Sequence, residues 1–189
     1  MSTTALLHSL HPVATDAATD AQKAVLDQAA RAAGFLPNMY RNMANAPAVL
    51  STYLHGYGLF RSESGLQPAE QEVVFLAVSR TNGCTYCMAA HSMIADKRSG
   101  VPVDVLQAIR TGRPIPDARL AALYALTTDM VRTQGRPDPA LLKTFLDAGF
   151  RETDVLYIVL AIAVKTLSNY TNHAFATPVD AVFSAYKVE

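Results

Sequence analysis

The stretch Glu72–His91, EVVFLAVSRTNGCTYCMAAH, decides how this chain is read. It holds both cysteines of the protein, Cys84 and Cys87, in a Cys-x-x-Cys spacing. His91 follows one helical turn after the second cysteine, and Glu72 precedes the first by twelve residues. The sequence reads as helix on both sides of a break at Asn82-Gly83. On a helix of about 3.6 residues per turn, positions 84, 87 and 91 share a face. Two thiols and an imidazole therefore line up at a helix start, where unpaired N–H groups favour a thiolate. That is the chemistry of a redox-active thiol pair.

Outward from this stretch the pattern stays helical. A central helix is expected from Pro68 to Thr81 and the cysteine helix from Cys84 to about Arg98, closed by Gly100. Upstream, an alanine-rich helix is expected from Thr15 or Asp16 to Ala33. A short one follows Pro37, and a third runs from Pro47 to about Arg61, its Gly56 and Gly58 hinting at close packing. Downstream, helices are expected from Pro102 to Arg110, from Asp117 to about Gln134 and from Asp138-Pro139 to Ala148. The last major helix spans Thr153 to near His173, and a turn or two follows Pro178. The run VLYIVLAIAV could by itself be a buried strand, but nothing elsewhere would pair with it. The fold class expected is all-α, a bundle of about seven to nine helices whose central hairpin carries the Cys-x-x-Cys.

One internal echo is visible. LAVSRTNGCTYCMAAH, from Leu76, can be laid over LAIAVKTLSNYTNHAF, from Leu160, with Cys84 and Cys87 facing Ser168 and Thr171. Either a helical hairpin was duplicated and lost its thiols, or alanine-rich helices match by chance.

Composition narrows the function classes. A chain of 189 residues is long enough for one domain with a substantial core, expected over 16–189 with a flexible segment over 1–15. Half the residues are apolar and only 17% are charged, so much surface must be buried, part of it in an oligomer interface. Sixteen basic residues balance sixteen acidic ones with no basic tract, which argues against a nucleic-acid partner. No apolar run reaches the ~18 residues of a membrane span, and the N-terminus lacks the pattern of a secretory leader. A cytoplasmic location is the expectation, and there two cysteines are a poor structural staple.

Hairpin geometry orders the candidate catalytic residues. Glu72, about ten residues before the turn, falls level with His91 rather than with Cys84, at about 1.5 Å of rise per residue. His91 would take the proton of a thiol and Glu72 would orient the imidazole and stabilise its charged form. Each residue also has a plainer account. Glu72 could be a first-turn helix acid, His91 a core histidine, and the cysteines inert buried thiols. Glu72, Cys84, Cys87 and His91 could also ligate zinc, although the usual second Cys/His pair is missing and three of the four lie along one helix. The reading assigns no metal and no cofactor. His173, near the end of the last helix, either reaches the site or serves the helix dipole, His8, His11 and His55 take no role, and Tyr40, Tyr53, Tyr57 and Phe60 fit a core better than a substrate box.

Glu, eleven residues, Cys-x-x-Cys, three residues, His: this pattern resembles the signature of the alkylhydroperoxidase D (AhpD) group of the carboxymuconolactone decarboxylase superfamily. LPNMYRNMANAPAVL, from Leu36, and LAVSRTNGCTYCMAAH are similar to its peroxidase-related branch. The resemblance implies an all-helical, homo-oligomeric protein, often a trimer or hexamer, that reduces hydroperoxides with electrons from a dithiol reductant. It casts Cys87 as the peroxide-attacking thiol and Cys84 as the resolving one. Two departures stand out. The best-described members carry a histidine between the cysteines where this chain has Tyr86, and a phenol is no base near neutral pH. The decarboxylases generally lack the Cys-x-x-Cys pair, which argues against lactone decarboxylation here.

Overall fold

The computed structural model describes residues 4–188. Among them there are nine α-helices, one 3-10 helix and no strand. They are α1 (Asp20–Ala33), α2 (Asn38–Met43), α3 (Pro47–Glu63), α4 (Pro68–Thr81), α5 (Thr85–Lys97), α6 (Val103–Thr111), α7 (Ala118–Arg132), α8 (Pro139–Asp147) and α9 (Glu152–Phe175), followed by a 3-10 helix over Ala181–Tyr186. No helix among the described residues is long and apolar enough to cross a membrane.

The centre is α4. Its residues from Glu70 to Ser79 are all buried, so its whole circumference is enclosed. It packs against α5, α7 and α9 and touches α6. The chain reverses at Asn82-Gly83, where Gly83 takes a φ of +69° that a side chain would resist. Cys84 then caps α5 with extended backbone. The hairpin α4–α5 thus carries the thiols back along the most buried helix of the protein.

Local chemistry explains where some boundaries differ from the sequence expectation. Helix α1 starts at Asp20, not at 15 or 16, because Thr19 and Gln22 form a reciprocal capping box. Helix α9 runs unbroken through the positions aligned with Asn82-Gly83, where Thr166 and Leu167 continue the helix. The duplicated-hairpin alternative therefore fails: α9 is one long rod. The N-terminal segment 4–15 forms no helix, yet Leu6 and Leu7 donate N–H bonds to Ala174 O and Val13 donates to Arg41 O. Residues 1–3 of the segment expected to be flexible lie outside the described residues.

Of the two glycines read as packing contacts, only Gly56 is one. A Cβ built there would lie 2.6 Å from Val164 Cγ1 on α9, whereas one at Gly58 meets nothing. Overpacking of this kind costs about 1–3 kcal/mol, against about 1 kcal/mol gained by replacing a helical glycine. Gly56→Ala should therefore lower the urea midpoint, by an amount equivalent to about 1 kcal/mol, while Gly58→Ala should raise it. Equal midpoint shifts would mean that α3 and α9 are not held at this separation.

Candidate functional site

Four helices bring the site together. Helix α3 supplies Arg61, α4 Glu72, α5 both thiols and His91, and α9 Lys165, Ser168 and Asn172. Glu72 is wholly buried, and its two oxygens are both engaged. One receives an ion pair from Arg61, whose guanidinium also donates to Tyr57 Oη at 2.7 Å and to Gln71 Oε1 at 3.0 Å. The other meets His91 Nδ1 at 2.8 Å, the contact that the hairpin register implies. Lys165 Nζ lies 2.8 Å from the opposite ring nitrogen, His91 Nε2. One tautomer satisfies both contacts: Nδ1 carries the proton and donates to Glu72, and Nε2 accepts from Lys165.

Electrostatics follow from this chain of contacts. Burial would raise the Glu72 carboxyl, but His91 and Arg61 outweigh it and hold the group below the usual carboxylate range. Burial and the Lys165 charge lower the His91 imidazole against the pull of Glu72, so the ring is neutral at physiological pH. Lys165 is itself 0% exposed, and among the described residues no carboxylate pairs with it. Counting Arg61 and Lys165 as cations and Glu72 as an anion leaves one positive charge in the interior without a counter-ion. Buried charges require partners. The remaining group able to supply one is Cys87.

The Cys87 sulfur sits at the first turn of α5, with Asn172 Nδ2 donating to it at 3.3 Å and Ser168 Oγ 3.8 Å away. Burial opposes its ionisation. The adjoining Cys84 thiol, the Lys165 charge and Ser168 together overcome that and hold Cys87 well below the usual thiol range. Cys84 moves the other way, pushed up first by Cys87 beside it and then by burial. Both cysteines are free thiols. Only Cys87 of the two lines the cavity described next, which therefore meets the ionised sulfur rather than its neighbour.

That cavity, of about 410 Å³, opens between α1, α3 and α5 and has Cys87, His91 and Lys165 in its wall. Tyr40, Tyr53, Tyr57 and Tyr86 line it as well, so of the aromatic residues read as core Tyr40 and Tyr53 are both core and cavity wall, Tyr57 is wall packed against the core, and Phe60 is core alone. Tyr86 donates to Asp180 Oδ2 at 2.5 Å, and burial and this acceptor raise its phenol. It ties the C-terminal segment over the thiols and offers no base where the group's histidine would stand. His173 is exposed and stacks on Tyr170, away from the site. Among the described residues no set of three or more His, Cys, Asp or Glu side chains is arranged to hold a metal ion. Both ring nitrogens of His91 and both oxygens of Glu72 are already committed, so the donors of the zinc alternative are not disposed for it.

Arg61, Lys165, Ser168 and Asn172 were not among the candidates drawn from the sequence. Lys165 carried a usable signal: a lysine inside a helix apolar enough to be buried must have an ionic or hydrogen-bonding partner. For the others no local pattern exists, because their positions depend on how α3 and α9 cross the hairpin.

Comparison with known proteins agrees with this architecture. Residues 47–129 match the model of the carboxymuconolactone decarboxylase family. Among solved structures, the alkylhydroperoxidase AhpD core of Ralstonia eutropha JMP134, an uncharacterized peroxidase-related protein, superposes with a TM-score of 0.77 at 22% identity, covering 92% of this chain and 93% of that one. A peroxidase-related protein of Silicibacter sp. TM1040 gives a TM-score of 0.75 at 22% identity, with 93% of each chain covered. A cysteine-to-alanine variant of the debrominase Bmp8, in complex with 2,3,4-tribromopyrrole, gives 0.78 at 18% identity over 97% of each chain. At such identities these likenesses establish the fold. No curated protein sequence gives a significant match. The segment 47–129 thus resembles the carboxymuconolactone decarboxylase family, and the fold of the chain is AhpD-like.

Proposed function

We propose that this AhpD-like chain is a thiol-dependent peroxidase that reduces hydroperoxides through a Cys84/Cys87 dithiol–disulfide cycle. The observation that carries the reading is the Cys87 sulfur, set in a cavity wall that also holds the buried Lys165, with the second thiol, Cys84, one helical turn away. The Cys87 thiolate attacks the outer oxygen of ROOH, the O–O bond breaks, and a proton passes to the departing alkoxide, leaving ROH and a sulfenic acid. His91 and Lys165 line the cavity where that proton is needed, and Glu72 fixes the imidazole through Nδ1. The Cys84 thiol then attacks the sulfenic sulfur, releasing water and forming the disulfide. An external dithiol returns both cysteines to thiols, and no cofactor enters the cycle. Positions three apart at a helix start meet the Cα separation of under about 7 Å that a disulfide requires.

A second reading uses the same sulfur for reductive dehalogenation. It is favoured by four tyrosines in the wall and by a volume far beyond the need of a small peroxide. There an aryl halide and two thiols would give the arene, halide, a proton and the disulfide. Steady-state assays with dithiothreitol separate the two readings. Consumption of cumene hydroperoxide supports the peroxidase, and bromide release from a bromopyrrole without peroxide turnover supports the alternative.

The chain is also proposed to form a homo-oligomer, trimer or hexamer, as the resemblance implies. Leu156, Val159 and Tyr170 are exposed along one side of α9. Light scattering should return a mass well above the 20.3 kDa of one chain, and a monomer at micromolar concentration would contradict it.

A further inference from the structure

We infer that the cavity takes an organic acid: a substrate with an apolar or aromatic body whose anionic end pairs with Arg98 at the mouth while its reacting group meets Cys87. The peroxide chemistry rests on the function proposed above, but the acid selectivity rests on separate observations. The cavity is lined by Arg61, His91, Arg98 and Lys165 and by no Asp or Glu side chain. Two of these cations are already committed, Arg61 to Glu72, Tyr57 and Gln71, and Lys165 to His91.

Arg98 is different. Its backbone N–H closes α5 on Ile94 O, but among the described residues its guanidinium has no hydrogen bond, ion pair or ring contact. The nearby Asp96, its most obvious partner by sequence, is taken by Lys97 at 2.9 Å and by the Tyr186 hydroxyl at 2.5 Å. Arg98 nevertheless faces the interior of the cavity electrostatically. Burial raises the Tyr57 phenol, and Arg61 and then Arg98 pull it back.

Placement supports an elongated occupant. Cys87, His91, Ile94 and Arg98 fall on one side of α5, so the sulfur and the Arg98 backbone are separated by roughly 16 Å along the axis. The reach of the arginine side chain shortens that span. Arg98 is exposed and Cys87 is 1% exposed, which makes the first the mouth and the second the floor. Between them lie Ala90, Met93 and Ile94, and the rings of Tyr53 and Tyr57 add to a wall that is largely apolar. The volume, about 410 Å³, would hold about a dozen waters at ~30 Å³ each, far more than hydrogen peroxide occupies. An apolar body with one acid group satisfies the free cation and fills the largely apolar section together.

Calorimetric titration with unreactive probes tests this directly. 4-Isopropylbenzoate should bind at least about tenfold tighter than 4-isopropylbenzamide, as a charge-assisted hydrogen bond allows. The preference should fall with added salt, collapse toward unity in Arg98→Gln and return in part in Arg98→Lys. With hydroperoxides, cumene hydroperoxide and its 4-carboxy derivative should differ chiefly in KM, and Arg98→Gln should erase that difference. Equal binding of acid and amide, or a preference that survives in Arg98→Gln, would overturn the inference. If the acid preference depends on Arg98 but neither hydroperoxide is consumed, the acid site stands and the peroxidase reading falls.

Discussion

A Cys87→Ser protein should consume hydroperoxide at least about a thousandfold more slowly than the parent, because it lacks the nucleophile. Serine cannot replace it: its hydroxyl is not ionised by the surroundings that ionise the thiol. Cys84→Ser should behave differently. It retains the Cys87 thiolate and should reduce one equivalent of hydroperoxide, then stop as a sulfenic acid that dimedone traps. A stopped-flow peroxide assay followed by mass analysis checks both variants. If Cys84→Ser is inert in the first turnover and Cys87→Ser is not, the attacking and resolving roles are reversed. That result would contradict a cavity lined by Cys87 and not by Cys84.

The second large effect is expected at Lys165, where activity and stability should move apart. In Lys165→Met the interior loses the positive charge that Cys87 answers, and burial is then opposed chiefly by the Cys84 thiol and Ser168. The sign follows. Cys87 titrates well below an ordinary thiol in the parent, so its thiolate is present at neutral pH and is lost only as the pH falls through that depressed value. Without Lys165 the titration moves up toward the ~8.5 of a free thiol, and at pH 7 less of the thiolate is present. Peroxide reduction at that pH should drop by at least about tenfold, and the rate of iodoacetamide labelling of Cys87 should need a higher pH to recover. Folding stability should not suffer in step, since replacing a buried charge by an apolar side chain is commonly neutral or stabilising. A variant that is both unfolded and inactive would show that Lys165 is chiefly structural. A variant with an unchanged labelling profile would show that it does not set the thiol.

How far the sequence carried this picture differs from residue to residue. The helical class, the Asn82-Gly83 reversal and the Glu72–His91 contact follow from spacing, because all lie within one hairpin whose geometry is fixed by rise and turn. Lys165 and Arg61 lie 93 and 11 positions from Glu72, and only the packing of α9 and α3 against α4 brings them in. Their effect is not small. With Lys165 on Nε2, His91 makes no hydrogen bond to Cys87 among the described residues, so the charge beside the thiol is that of Lys165 and the imidazole has no direct contact with the sulfur. The alignment of α9 with the hairpin placed Ser168 opposite Cys84, and the fold instead sets it beside Cys87, on a helix with no break. Tyr40, Tyr53 and Tyr57 show why an aromatic stripe resists assignment: a ring can belong to the packed core and still present a face to a cavity.

The measurement that bears most directly on the central claim is a single turnover without reductant. Fully reduced protein, freed of dithiol, is mixed with excess cumene hydroperoxide, and both peroxide and protein mass are followed. The account predicts one equivalent of hydroperoxide consumed per chain, with the loss of two hydrogens, and a Cys84–Cys87 disulfide in the peptide map that dithiothreitol reverses. Unchanged mass with both thiols still free, or a stable oxidised Cys87 beside a free Cys84, would contradict a dithiol–disulfide cycle in this protein.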